Sequence, residues 1–282
     1  MRVRTRDESG GSLLTDGEEQ EYSPQAKFPV CSKPTCIKTS TRHGANRLTL
    51  DEKHSIIISQ KIENLVRCYM DNKILNITNG EYFNEYYISK FGGLSVPFCE
   101  VMMDGETIAN IYSQQFIELR AKSLSITENE YKSKMYVYNI LNNNNYPSIC
   151  LWFGKDTFCQ VNLLTLLAYL EQIGYQGELK LNYIDDETFE VLASNIDVKL
   201  GVYSKIYEDV LIFKKVPQDV GILIARAIEL FFDYHSDNGE LSKLVRANAN
   251  KERMELIILL LAESKEYGLS DLQVEKLINS NL

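Results

Sequence analysis

Histidine is scarce in this sequence: only three occur among 282 residues, at positions 43, 54 and 235. A triad built on imidazole is therefore poorly supported. His235, between Asp233 and Asp237 at the expected end of a helix, fits a cation set on the negative end of the helix dipole. Also missing are the Gly-x-Gly-x-x-Gly fingerprint, the phosphate-loop lysine and the Gly-x-Ser-x-Gly elbow. No apolar run is long. The longest, Val161–Leu170 and Leu256–Ala262, fall far short of the ~20 residues a bilayer span needs. Residues 1–30 contain no apolar core of the signal-peptide kind. A cytoplasmic protein with no membrane partner is expected.

The six cysteines, at 31, 36, 68, 99, 150 and 159, lack the dense spacing of a disulfide scaffold. Cys99, Cys150 and Cys159 sit among apolar residues, as reduced, buried thiols do. A formal charge of −9 offers no excess of cations to neutralise phosphates, so nucleic acid is not the expected partner.

What is present is enough for a real core: 44% of the chain is hydrophobic, and the length accommodates one large domain or two modest ones. The first fifty residues differ from the rest. They hold five Arg against three Lys, whereas the remainder holds five Arg against seventeen Lys. Three of six prolines lie there, but one of seventeen tyrosines, and no apolar periodicity persists. Residues 1–69 are expected to form a disordered or non-native extension, with at most a short helix around Ile56–Val66; a regulatory tail is the alternative.

From Met70 onward strands and helices alternate. Ile74–Thr78 reads as a strand ended by Asn79-Gly80, followed by a helix from Glu81 to about Lys90 and a second strand over Leu94–Cys99. Helices are expected at about 106–124 and 128–141, the second opened by the capping box Thr127-x-x-Glu130. Ser148–Phe153 is a buried strand, Gly154–Thr157 a polar loop, Gln160–Ile173 a helix and Leu179–Ile184 a strand. That succession is a βαβ unit with parallel strands. Further helices are expected at Asp186–Ser194, Val216–Tyr234, 251–264 and 271–279. The expected fold is α/β: a Rossmann-like, largely parallel small sheet flanked by helices over residues 70–200, then a helical region over 201–282.

Three segments occur in order: Ile77-Thr78-Asn79-Gly80-Glu81, Pro97 through Glu106, and Leu151-Trp152-Phe153-Gly154-Lys155-Asp156-Thr157-Phe158-Cys159-Gln160. Together with Tyr267-Gly268-Leu269-Ser270 before the last helix, they resemble the bacterial family catalogued as domain of unknown function 1835. The resemblance runs from about Lys73 to Leu282 and implies a Rossmann-like N-terminal part and a helical C-terminal part. It supplies no catalytic residues. Cys99 and Met102-Met103 depart from the more polar residues usual at those positions.

In a parallel sheet the carboxyl ends of the strands form the ligand crevice. Asn79 and Gly80 end one strand, and Gly154–Thr157 follow another. Helices starting at Glu81 and near Phe158 would aim amides into the crevice, although Glu81 and Asp156 would repel a phosphate there and read more simply as dipole partners or caps. Asn79, Gly80, Trp152, Asp156 and Gln160 are the ligand-binding candidates here, suited to a small polar, uncharged or hydroxylated ligand. Glu100 and Asp104, with Glu106, form an acidic cluster able to hold Mg²⁺ or act as acid and base, or simply a solvated turn. Cys31-x-x-x-x-Cys36 with His43 and His54 is too loosely spaced for structural zinc, so no metal ligands are assigned and no cofactor is specified. Cys159 reads as a core thiol.

Three functions are weighed. The first is a ligand-binding or interaction protein with a polar crevice. The second is a hydrolase or nucleotide-modifying enzyme using Glu100, Asp104 or Asp156. The third is a transcriptional regulator using the helix-turn-helix outline of residues 251–282.

Overall fold

The computed structural model describes residues 74–143, 146–218 and 224–282. The expected 1–69 extension, its short helix and its cysteines and histidines lie outside the described residues. Five strands form one sheet: β1 (Ile74–Asn79), β2 (Ser95–Phe98), β3 (Ser148–Gly154), β4 (Glu178–Ile184) and β5 (Val191–Asp197). Their order is β2-β1-β3-β4-β5. The first four run parallel, with Ile77 opposite Val96 and Leu151, and Leu151 opposite Leu181; β5 is antiparallel to β4. This is a Rossmann-like α/β fold. The chain winds outward in both directions from β1 and β3, so the loops after those two strands part and leave a crevice at the switch point.

Alternation along the strands sorts residues between two faces. Leu75 and Ile77 of β1, with Ile149, Leu151 and Phe153 of β3, enter the main core. Asn76 and Trp152 turn to the other face, where the indole donates to Asn76 Oδ1 at 3.0 Å. Helix α1 (Glu81–Phe91) covers that second face, packing Phe83 and Tyr87 on Trp152 and Ile184. Gly80 precedes it with φ 85°, a backbone conformation costly to any residue with a side chain.

On the main face lie α2 (Gln114–Ser123), α3 (Glu128–Lys134), α4 (Val137–Asn143) and α5 (Thr157–Gln172). The capping box at Thr127 and Glu130 forms as expected. The helix expected over 106–124 is shorter because Ser113 caps Phe116 and starts it late. The one expected over 128–141 breaks at Met135-Tyr136 into two. Helix α5 begins three residues earlier than expected, since Asp156 accepts from the Cys159 amide and acts as its cap.

Asp186–Ser194, expected as a helix, is a hairpin leading into β5. Asp185 overrides the helical composition: its carboxylate accepts from the amides of Glu187 and Thr188, and Phe189 takes a φ of 60°. An Asp side chain that captures amides two and three residues on builds a turn. Beyond the sheet come α6 (Tyr203–Tyr207), a π-helical turn (Glu208–Ile212), α7 (Ala225–Tyr234), α8 (Glu240–Ala247), α9 (Arg253–Glu263) and α10 (Asp271–Asn281). The helix expected over Val216–Tyr234 thus begins only at Ala225, and 216–218 are not helical. Among the described residues no helix is long and apolar enough to cross a membrane.

Helix α5 lies at the centre of the described fold. Leu163, Leu166, Leu167 and Leu170 are buried as their spacing requires, but so is every other residue from Cys159 to Leu170. A helix laid on a sheet keeps one wet face; this one is covered on that face as well. Glu171 in its last turn accepts from the amides of Gly201, Val202, Tyr203 and Ser204, fixing α6 against it.

Candidate functional site

The crevice at the strand ends is divided by the first turn of α5. One hollow, of about 690 Å³, opens between the ends of β3 and β4, the hairpin, α7 and the turn 264–268; Asp156, Gln160, Tyr183, Asp186, Leu192 and Arg226 line it. The other, of about 440 Å³, takes in Asn79, Gly80, Glu100 and Phe158. The four candidates expected in one crevice are therefore shared between two, with Asn79 and Gly80 on one side and Asp156 and Gln160 on the other.

The α5 amides do not face either hollow as free donors. Thr157 and Phe158 donate to the carbonyls of Glu266 and Tyr267 at 2.8 and 3.1 Å. Cys159 donates to Asp156 at 2.9 Å, and Gln160 to the Asp156 carbonyl at 3.0 Å. Every donor of that turn has a partner within the chain, so the anion seat foreseen there is taken. The capping alternative holds for Asp156.

A carboxyl cluster sits where the elements meet. Ligand atoms of Asp156, Cys159 and Asp186 all lie within 4.8 Å of one another. The Cys159 thiol donates to Asp186 Oδ1 at 3.6 Å. Asp186 as a residue is exposed, but its carboxyl turns inward over Gly154, where a Cβ would stand 2.0 Å from Oδ2. Gly268 does the same for Asp156, whose Oδ1 would meet a Cβ at 2.0 Å. Burial, followed by the Asp156 hydrogen bond and charge, pushes the Asp186 carboxyl up to about 8. Burial and the two aspartates likewise hold the Cys159 thiol well above its ordinary value.

The network continues under α5. Asn79 Nδ2 lies 2.9 Å from Cys159 Sγ. Its Oδ1 accepts from Asn162 Nδ2 at 3.0 Å, and Asn162 Oδ1 accepts from the Met102 amide at 3.0 Å. Gln160 is buried, donating to the Gly154 carbonyl at 2.5 Å and accepting from the Tyr183 hydroxyl at 3.4 Å. The cations around the larger hollow are engaged elsewhere. Arg226 pairs with Glu229 and Glu266, and Lys265 with Glu187. Lys155 lies over the Tyr183 ring at 5.4 Å.

Three candidates take structural positions instead. Glu100, though it borders the smaller hollow, is buried in an ion pair with Arg120 at 3.2 Å, where the Tyr131 hydroxyl also donates to it. Asp104 clasps α10, accepting from Gln273 at 2.7 Å and Lys276 at 2.5 Å. Trp152 lies beneath α1. Sequence reading passed over Asp186, assigned to a helix, and Asn162. The signal available was positional: Asp185-Asp186 directly follows β4, on the edge where β3 ends.

No family model, curated protein or solved structure matches this chain.

Proposed function

We propose that this chain is a ligand-binding protein that takes a small polar, uncharged or hydroxylated ligand in the 690 Å³ hollow. One observation carries the reading: Asp156, Gln160 and Asp186 converge at the ends of β3 and β4 beside an apolar wall of Tyr183, Leu192 and Leu230. A few polar groups converging beside an apolar wall, in a hollow at a sheet's carboxyl edge, can orient a small ligand. An acidic floor and a helix turn with no spare amide disfavour a bare phosphate. The kinship with the domain of unknown function 1835 family belongs to this reading and rests on the three motifs quoted, whose residues run through β1, β2 and the β3–α5 junction.

A second reading, an enzyme, draws on the same floor. Of the three carboxylates offered for acid–base work, Asp156 is the one at the larger hollow, and Asp186 supplies it with a partner. Paired carboxyls are the commonest acid–base equipment of hydrolases that act on hydroxylated substrates.

The test is a thermal-shift panel of sugars, polyols and nucleosides on the full chain. At least one compound is expected to raise the melting temperature. That rise should vanish in Leu192→Trp, a change at a residue 49% exposed on the wall that fills the hollow without removing a polar group. A panel without hits, or hits indifferent to Leu192→Trp, would sink the reading.

A further inference from the structure

The cluster beneath the hollow is assembled from separate parts of the chain. Asp156 and Cys159 stand three residues apart at the start of α5, so their side chains share one side of the helix. Asp186 comes from the hairpin after β4. Gly154 and Gly268, from β3 and from the turn before α10, each leave the space that one carboxylate occupies. Among the described residues these three form the one group of side chains placed to share a metal ion.

The arrangement lacks a counter-charge. No Lys, Arg or His among the described residues forms an ion pair with Asp156 or Asp186, and the cations lining the hollow are committed to Glu187, Glu229, Glu266 and the Tyr183 ring. Acidic groups packed together repel one another unless protons or a cation intervene. The spacing of the ligand atoms also suits a cation in place of those protons. For a tetrahedral ion with sulfur at ~2.3 Å and oxygen at ~2.0 Å, the sulfur–oxygen edge is about 3.5 Å. The observed separation of Cys159 Sγ and Asp186 Oδ1 is 3.6 Å.

The orientation of Asn79 adds an independent observation. The Met102 amide is a fixed donor, so Asn162 must present its oxygen to it and its nitrogen to Asn79. Asn79 must then accept through its oxygen, and its amide nitrogen faces Cys159 Sγ at 2.9 Å. A donor aimed at sulfur suits a thiolate ligand, whose charge a bound cation would offset. A chain of hydrogen bonds ending on a ligand atom is also how metal sites orient their ligands.

We propose that Asp156, Cys159 and Asp186 bind one divalent cation of the zinc class at the floor of the larger hollow. One thiolate with two carboxylates excludes Mg²⁺ and Ca²⁺, which take oxygen ligands, and suits a borderline ion. Three protein ligands leave a fourth position for water or for an oxygen of the bound molecule, and two of the three, Asp156 and Asp186, line the hollow. The inference rests on the reading of this hollow as the functional site.

Titration of the full-length chain with Co²⁺ as a spectroscopic stand-in for zinc tests it. One equivalent should bind, with the thiolate-to-cobalt charge-transfer band that only a sulfur ligand produces, and Zn²⁺ should displace it. Cys159→Ser should lose that band. Asp186→Asn, on the exposed hairpin, should weaken binding by about tenfold or more, as loss of a ligand or of its support does. Gly154→Ala should weaken it similarly by pushing the Asp186 carboxyl aside. A band that persists in Cys159→Ser would overturn the proposal and point to Cys31 and Cys36. Binding unchanged in both Asp186→Asn and Gly154→Ala would overturn it too. Cobalt binding without any hit in the small-molecule panel leaves the metal site standing and removes the ligand reading; hits without cobalt binding do the reverse.

Discussion

Arg120 is among the largest side chains buried completely, and it holds the segment after β2 in shape. Its guanidinium donates to the Asp104, Glu106 and Val101 carbonyls at 2.9, 3.2 and 2.9 Å, besides pairing with Glu100. A buried charge pair is weak evidence of net stability, but removing one partner strands the other. Arg120→Met should therefore destabilise the fold by about 3–5 kcal/mol, read as a lower urea midpoint. Adding Glu100→Gln should recover only the part due to the stranded charge, because three loop carbonyls still lack their donor. A single variant that melts like the parent would show that water reaches this site. From sequence, Glu100, Asp104 and Glu106 form an acidic cluster around a glycine. The partner of Glu100 lies twenty residues further along the chain and those of Asp104 in the last helix, and no local spacing announces either.

Among the elements, legibility followed the strength of the local signal. Strands β1 to β4 are short apolar runs with turn residues at their ends, and their positions and parallel pairing follow from the βαβ succession. Strand β5 does not read as a strand: it is largely exposed, so burial imposes no alternation, and Leu192 and Ala193, following Glu187 and Glu190, give the segment a helical composition. Its identity is set by the Asp185 turn and by pairing with β4, the second of which is tertiary. Helix α6 is short and starts on amides capped by Glu171, a distant residue, so no local cap marks it. Helix α8 went unforeseen: its N-cap is Gly239, which has no side chain to offer, and its first amide is met by Asp233, seven residues back. For α5 the leucine spacing predicted a buried stripe, while its complete burial depends on helices that follow far later. Leu167 is 1% exposed, so Leu167→Ala should cost about 2–5 kcal/mol through lost contacts and the cavity left behind. A change in unfolding free energy under about 1 kcal/mol would mean that neighbours collapse into the space.

At the scale of the whole molecule, the parallel sheet and the C-terminal helices share α5. The turn between α9 and α10 supplies the carbonyls that satisfy the first amides of α5, at 2.8 and 3.1 Å. Asp104, beyond β2, holds α10 through Gln273 and Lys276. Detaching the helices would strand those amides and expose the residues of α5 that the sheet does not cover. Both losses fall on the sheet as well as on the helices, so the two parts should unfold together. The single tryptophan makes this measurable. Trp152 lies on the far face of the sheet, 4% exposed and 5.2 Å from the Tyr87 ring, and its fluorescence reports the sheet alone. Far-UV circular dichroism is dominated by helices, many of them C-terminal to the sheet. In a urea titration the two signals should fall with one midpoint and one slope, the mark of a two-state transition. If ellipticity is lost at lower urea than the Trp152 signal, the helical region opens by itself, and the α5 amides are then capped by a part of the chain that can let go of them.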